Sequence, residues 1–367
     1  MKNVLIISNS LKSVFRFRMW MITRMAENGY KIVIASPFEG ISPVDTSSIV
    51  YVDIDFERKS ASPINNLILM YKFFKISKIT KFDIALCYTT KPALFFPFIF
   101  FMSKTKVVSI FTGLGTGYLK IENSKLLLKM AGVMLKPSDL VMVMNASDKD
   151  ILINKVGVIA PKVFTLPGEG IDLNYFKYSC PVQKSKINFL FIGRLIKDKG
   201  IFELIDASKK LYNVHEKDFI LTIVGDVDSG NPGSLSLSEV ESISNLSYVE
   251  YVKETSNIEK YIEKSDVFVL PSYREGLSRS LLEACAIGRA CIVSDVAGMS
   301  ELVNHKVNGL VVKSGNNESL ILSMLSFVNM NYEEIILMGR KSKSRLKGVY
   351  DLDSVYAQFE KALKKID

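Results

Sequence analysis

The chain has 367 residues, too many for one ordinary core and a good length for two α/β domains. Apolar residues make up 48% and charged residues 23%, a globular composition that excludes a disordered or fibrous chain. The net charge of +9 is lopsided: residues 1–180 carry 23 Lys and Arg against 13 Asp and Glu, whereas the remainder carries 24 against 25, so the positive excess belongs to the first half.

A basic half suits nucleic acid, an anionic membrane surface or a polyanionic small substrate. No paired zinc ligands and no aromatic RNA-binding signature are present, so no nucleic-acid partner is expected. Cys87, Cys180, Cys285 and Cys291 form no Cys-x-x-Cys pair and no cluster with histidine, which argues against a disulfide framework or a zinc site and suits a reducing cytoplasm.

The N-terminus enters a buried-strand pattern at once, Val4–Ser8, so no signal peptide is expected. A helix over about Arg16–Glu27 follows, stopped by Gly29, and then a strand at Ile32–Ala35. Ile84–Cys87 precedes an apolar segment, Ala93–Met102, which is about half the length of a membrane span and contains Pro97; it is expected to be a buried helix, with an interfacial segment as the alternative. Val107–Phe111 leads into a glycine-rich loop, and Leu140–Met144 leads into a helix over Ser147–Ile153. Apolar strands alternating with helices indicate parallel sheets covered on both faces.

Between residues 160 and 185 the pattern becomes irregular, and a second βα series begins at Phe189–Ile192. It continues through a helix at Ile201–Leu211, a strand at Ile220–Val224, a helix at Ile258–Glu263 and a strand at Val267–Leu270. A helix at Ser280–Ala286, strands at Cys291–Ser294 and Leu310–Val312, and helices over Tyr332–Leu346 and Leu352–Lys365 complete it. The expected organisation is a Rossmann-like domain over 1–175, a second over 176–348, and a terminal helix over 349–367 packing back on the first.

Open parallel sheets bind ligands beyond the carboxyl ends of their strands, which directs attention to the residues there. After Phe189–Ile192 stand Gly193, Arg194 and Lys199: a glycine that permits close backbone approach and two cations suited to a diphosphate, although cations at strand ends are as often plain surface charge. After Val267–Leu270 come Glu275, Gly276, Leu277 and Ser278, then a helix that holds Glu283 and ends at Gly288. Ser278 suits an N-cap, and amides at such a terminus favour an anion. At the helical rise, Glu275 and Glu283 stand about 10 Å apart, enough to separate a sugar from a ribose.

The pair Glu275-x7-Glu283, with FVLPSYREG before it, SDVAGMSELVNHKVNGLVV after it and GRLIKDKG upstream, resembles the retaining GT-B glycosyltransferases of family 4. GEGIDLNYF, VGDVDSGNP, FRFRM, IDFERKSASPINNL, YTTKPAL and TGLGTGY extend the resemblance over nearly the whole chain. It implies two Rossmann-like doubly wound domains facing a central cleft. It further implies Arg194 and Lys199 on the donor diphosphate, Glu283 on the ribose, Glu275 on the sugar, and amides of Gly276, Leu277 and Ser278 around phosphate and sugar. No metal or other cofactor is implied, and Asp226-Val-Asp228 reads as a turn after a strand rather than a metal motif.

Two features depart from the family pattern. YTTK, with Tyr88, Thr89 and Lys91, stands where relatives often carry HTPK, and both histidines, His215 and His305, lie in the second half. The first loop lacks a double glycine and carries Lys12, Arg16 and Arg18 instead. The branch resembled extends undecaprenyl-diphosphate-linked sugars in capsule, O-antigen and bacterial N-glycan synthesis. This implies a UDP-hexose or UDP-N-acetylhexosamine donor, a lipid-linked saccharide acceptor, and a peripheral place on the inner face of the plasma membrane. Arg16, Arg18, Lys91, Gly113 and Gly115 are the acceptor-side candidates, the glycines reading equally well as an ordinary tight turn. A UDP-sugar epimerase of the same fold and a non-catalytic nucleotide-sugar-binding protein are the alternatives.

Overall fold

A computed structural model describes residues 2–54, 63–78, 80–101, 103–114, 118, 122–214 and 219–366. Gly115, Gly117, His215, Met102 and most of the IDFERKSASP stretch lie outside the described residues. The chain divides into two compact units, Met1–Glu169 with Asp353–Asp367, and Gly170–Leu352.

The first unit holds strands β1 (Asn3–Ile7), β2 (Lys31–Ser36), β3 (Ile49–Asp53), β4 (Ile84–Tyr88), β5 (Lys106–Phe111), β6 (Leu140–Val143) and β7 (Val163–Thr165). They form one parallel sheet in the order β3-β2-β1-β4-β5-β6-β7. Val4 pairs with Ile32 on one side and Ile84 on the other, so the order reverses at β1 and β4. Helices α1 (Leu11–Phe17), α2 (Met19–Glu27), α3 (Pro63–Ser77), α4 (Thr90–Phe100), α5 (Lys125–Leu135) and α6 (Ala146–Ile151) connect the strands.

Two expectations for this unit need correction. The helix over Arg16–Glu27 is two helices, broken at Arg18, whose side chain turns inward and is 3% exposed. The apolar segment from Ala93 is only partly buried. Ala93, Phe96, Pro97 and Phe100 face the core, while Phe98 and Phe101 are exposed. Among the described residues, no single helix is long and apolar enough to cross a membrane.

The second unit repeats the plan with β8 (Ile187–Ile192), β9 (Phe219–Val224), β10 (Val249–Val252), β11 (Val267–Leu270), β12 (Ala290–Ser294) and β13 (Gly309–Val312). The order is β10-β9-β8-β11-β12-β13, all parallel, reversing at β8 and β11. Its helices are α7 (Ile201–Val214), α8 (Leu237–Ser244), α9 (Ile258–Lys264), α10 (Arg279–Ile287), α11 (Asn317–Val328) and α12 (Tyr332–Ser344). The last helix, α13 (Leu352–Leu363), lies with the first unit, where Tyr356 accepts a hydrogen bond from Asn28 and packs edge-on against Trp20.

The central strands of the second sheet are buried on both faces over FLFI, VFVL and ACIV, which are unbroken apolar runs. Arg289 is also fully buried in this unit. Its guanidinium donates to the carbonyls of Ile262 and Glu263 at the end of α9, at 2.7 and 3.3 Å, and so satisfies groups a helix terminus leaves unpaired.

The loops leaving these strands pack backbone against backbone. A Cβ on Gly225 would stand 1.9 Å from the Gly193 carbonyl oxygen, and one on Gly298 would stand 2.0 Å from that of Gly276. At Gly200, with φ +71°, a Cβ would stand 2.1 Å from the Pro271 oxygen, whereas at Gly348, φ +82°, it would meet nothing within 4 Å. Gly348→Ala therefore carries only the left-handed backbone cost of about 1–2 kcal/mol. Gly200→Ala adds a backbone overlap costing a further ~1–3 kcal/mol. Urea unfolding of the two variants checks the ordering, and equal stabilities would contradict this packing.

Candidate active site

The reversal point of the second sheet collects the predicted donor residues. Gly193 and Arg194 leave β8, a short 3-10 turn over Lys197–Lys199 follows, and Gly200 begins the approach to α7. Glu275 to Ser278 lie between β11 and α10. Two links fasten these loops together: the Tyr273 N–H donates to the Asp198 carbonyl at 2.9 Å, and Gly200 lies against Pro271.

Lys199 and Glu275 meet across this junction. The Lys199 ammonium donates to Glu275 Oε1 at 2.5 Å, and Ser272 Oγ donates to the same oxygen at 2.9 Å. Both partners are mostly buried, so the pair is shielded from solvent screening far better than a surface ion pair. Arg194 turns elsewhere. Its guanidinium donates to Asp228 at 2.8 Å while remaining 61% exposed, so the two expected cations are each held by a different carboxylate. Asp228 also accepts from the Asn231 amide, and its own N–H donates to Ser234 Oγ, so Asp226-Val-Asp228 lies within a hydrogen-bonded loop after β9.

Helix α10 begins as its sequence indicates: Ser278 is the N-cap, its hydroxyl accepting from the Leu281 N–H, and Gly288 closes the helix in the left-handed conformation. Amides of the first turn have no intrahelical acceptor and carry the positive end of the helix dipole. The Gly276 carbonyl lies against Gly298, and Gly276, Leu277 and Ser278 lead into the first turn of the helix. Glu283 sits about one turn in, only 5% exposed, and accepts from Arg279 Nε at 2.9 Å. Arg279 also donates to the Gly170 carbonyl and lies over the Phe176 ring. Tyr273 donates to Glu203 at 2.5 Å, and that bond raises its phenol to about 12.

The first unit has a comparable gathering at the carboxyl ends of β1, β4 and β5. Arg18 forms an ion pair with Glu169 at 2.6 Å, lies 4.6 Å over the Tyr88 ring and donates to Ser13 Oγ at 3.0 Å. Burial raises the Tyr88 phenol well above its ordinary range, with Arg18 opposing and Glu169 reinforcing the shift. Thr89, next along, has φ +74°, a conformation β-branched residues rarely hold, and its hydroxyl is buried with no hydrogen-bond partner among the described residues. Lys91 stands half-buried in the first turn of α4, and Gly113, φ +143°, follows β5. Arg16 is exposed in the last turn of α1 and is not brought to Arg18.

Sequence reasoning named Asp228 only as part of a turn and missed Ser272 and Arg279. Asp228 reaches Arg194 only because distant loops meet, whereas Ser272 and Arg279 bond acids three and four residues along the chain. A serine three residues before a glutamate, and an arginine four residues before one, were the available signals.

Comparison with known proteins places these features. Residues 179–344, which include all the donor-side candidates, match the family model described as glycosyl transferases group 1. The chain is 33% identical over 173 residues, 47% of its length, to N,N'-diacetylbacillosaminyl-diphospho-undecaprenol alpha-1,3-N-acetylgalactosaminyltransferase of Campylobacter jejuni. It is 24% identical over 80% of its length to UDP-Gal:alpha-D-GlcNAc-diphosphoundecaprenol alpha-1,3-galactosyltransferase of Escherichia coli. The matched stretch spans 43% of the Campylobacter protein and 81% of the E. coli protein. The crystal structure of Anabaena HepE in complex with UDP-glucose aligns over 100% of both chains with a TM-score of 0.77 at 16% identity. That likeness establishes the fold, two Rossmann-like units of the GT-B kind.

The Arg279–Glu283 pair generates a stability test. Arg279→Met leaves a carboxylate charge in a nearly closed site and is expected to cost about 3–5 kcal/mol. Arg279→Met with Glu283→Gln restores much of that loss, because no buried charge remains. A chemical-unfolding double-mutant cycle measures the coupling, and strictly additive losses would show that the charges do not interact.

Proposed function

We propose, on the premise that the second unit carries a glycosyl transferase group 1 domain, that the chain is a retaining, metal-independent glycosyltransferase. It moves a hexose or N-acetylhexosamine from a UDP-sugar to an undecaprenyl-diphosphate-linked saccharide in surface-polysaccharide synthesis, at the inner face of the bacterial plasma membrane. The observation that carries this reading is the buried Lys199–Glu275 pair, held at the reversal point of the sheet beside the N-terminus of α10. The C. jejuni and E. coli relatives, whose names specify diphospho-undecaprenol acceptors, support the acceptor class, and the E. coli name supports a UDP-sugar donor.

In this mechanism the donor diphosphate draws Lys199 and Arg194 toward its oxygens, with the first-turn amides of α10 completing the anion site. Glu275 turns to the sugar hydroxyls and Glu283 to the ribose. The C1–O bond to the diphosphate breaks, and the acceptor oxygen joins C1 on the same face. The departing phosphate oxygen takes the acceptor's hydroxyl proton, so configuration is retained and UDP leaves with its charge balanced by the two cations. Thr89 and Lys91 stand on the acceptor side with Gly113, and Arg18 holds the Tyr88–Glu169 framework behind them.

Product analysis with labelled UDP-sugar and a lipid-diphosphate saccharide, in excess EDTA, tests reaction class and metal independence together. Transfer is expected; interconversion of the donor sugar without transfer would point to an epimerase, and activity only after Mg²⁺ or Mn²⁺ addition would refute the electrostatic scheme. Lys199→Ala and Arg194→Ala each lower kcat by about 10²–10³ in this scheme, because their charge matters most as the diphosphate departs.

The two acids fail differently. Glu283→Ala weakens UDP binding, since ribose contacts are present in ground and transition states alike, while Glu275→Ala lowers turnover with UDP affinity little changed. Calorimetry with UDP beside steady-state kinetics separates them, and the reverse pattern would exchange their roles.

A further inference from the structure

The ends of α3 and α4 form a surface that the transfer reaction does not use. Their last turns, with the segments 80–83 and 103–105 that enter β4 and β5, line a groove of about 1210 Å³. It lies at the amino ends of those strands, away from the carboxyl ends where Thr89 and Gly113 stand. Phe73 and Phe96 join the two helices from within, ring against ring, and anchor the groove floor to the core.

Facing outward on the same helices are Tyr71 and Phe74 of α3, Phe98 of α4 and Phe101 just beyond it, with Tyr71 60% and Phe101 71% exposed. Clustered aromatic rings in water mark an interaction surface rather than ordinary scatter. Four exposed lysines accompany them. The Lys75 ammonium lies 4.8 Å from the Tyr71 ring centre and that of Lys78 lies 5.0 Å from the Phe74 ring, while Lys81 and Lys104 line the groove. Asp83 is the one acid among the described lining residues, and its carboxylate accepts from the Asn3 N–H at 2.7 Å.

The composition identifies the occupant. Protein–protein interface cores are depleted in lysine and enriched in arginine, yet among the described residues every cation lining this face is a lysine. Aromatic rings backed by long lysine stems that keep their ammonium groups in water are the features of a bilayer boundary, and the charge calls for anionic headgroups. We propose that the α3–α4 face docks the protein on an anionic lipid bilayer, its four aromatic residues entering the headgroup boundary and its lysines meeting lipid phosphates. This gives a place to the membrane in the function proposed above and rests on that reading for its substrate supply. Vesicle binding is read without sugar transfer, so the two can fail separately. Arg18, a cation that the basic first half offers for membrane contact, is buried and takes no part.

Co-sedimentation of the full chain with phosphatidylglycerol–phosphatidylethanolamine vesicles, and with phosphatidylcholine vesicles, provides the test. Binding is expected to the anionic vesicles and to weaken in high salt. Phe98→Ser with Phe101→Ser lowers vesicle affinity about tenfold or more. Lys78→Glu with Lys104→Glu lowers it by at least as much, and this pair decides the matter if the phenylalanine variant fails to fold. Transfer to a water-soluble short-chain acceptor is unchanged in the face variants. The proposal is overturned by parent-like sedimentation of both face variants or by equal binding to neutral vesicles. It also fails if light scattering shows that the variants dissolve a dimer while vesicle binding stays intact, since a second copy would then cover this face.

Discussion

Loops that leave the second sheet at β8, β9, β11 and β12 approach one another with no side chain between them. The Gly225 backbone rests on the Gly193 carbonyl, Gly298 on Gly276, and Gly200 on Pro271. A parallel sheet sends all such loops to one edge, but side chains on the facing positions would hold them several ångströms apart. Glycine removes that spacer at three junctions. The consequence is that Lys199, from one loop, reaches Glu275, from another, and that the start of α10 opens beside both.

Each cation of the candidate site is held by an acid of its own, and the surroundings set how firmly. Arg194 is largely in water while Asp228 is mostly buried, so solvent screens this pair from the cation's side. Lys199 with Glu275 is more enclosed, which preserves the position of the ammonium before any ligand arrives. Arg279 with Glu283 is more enclosed still on its acidic side, and there the arginine serves chiefly to keep a charged carboxylate tolerable inside the fold. The Glu283 carboxylate is thereby held in one orientation by its neighbour.

The first unit spends its charge differently. Arg18 is withdrawn into an ion pair with Glu169 and a stack on Tyr88, breaking a helix to get there, and beside it Thr89 is held in a left-handed conformation. Backbone strain of that kind costs about 1–3 kcal/mol and persists only where surrounding packing enforces it. The exposed lysines of α3 and of the segments that follow α3 and α4, by contrast, account for part of the basic excess of the first half and accompany exposed aromatic residues.

By itself the sequence determined the two sheets, because strands buried on both faces must be apolar throughout, as FLFI and VFVL are. It determined the cap of α10 at Ser278 and its stop at Gly288, since those depend on residue type at one position. It also placed the donor-side candidates on the loops after β8 and β11, because motif and strand end are adjacent in the chain. Which loops would meet was decided by strand order, and strand order is a property of packing between distant segments. The partners of the charges followed from that: Asp228 for Arg194, Glu275 for Lys199, Glu169 for a buried Arg18. Exposure of Phe98 and Phe101 was likewise a tertiary outcome, because an all-apolar helix has no polar face in its sequence to mark the side that its neighbours leave uncovered.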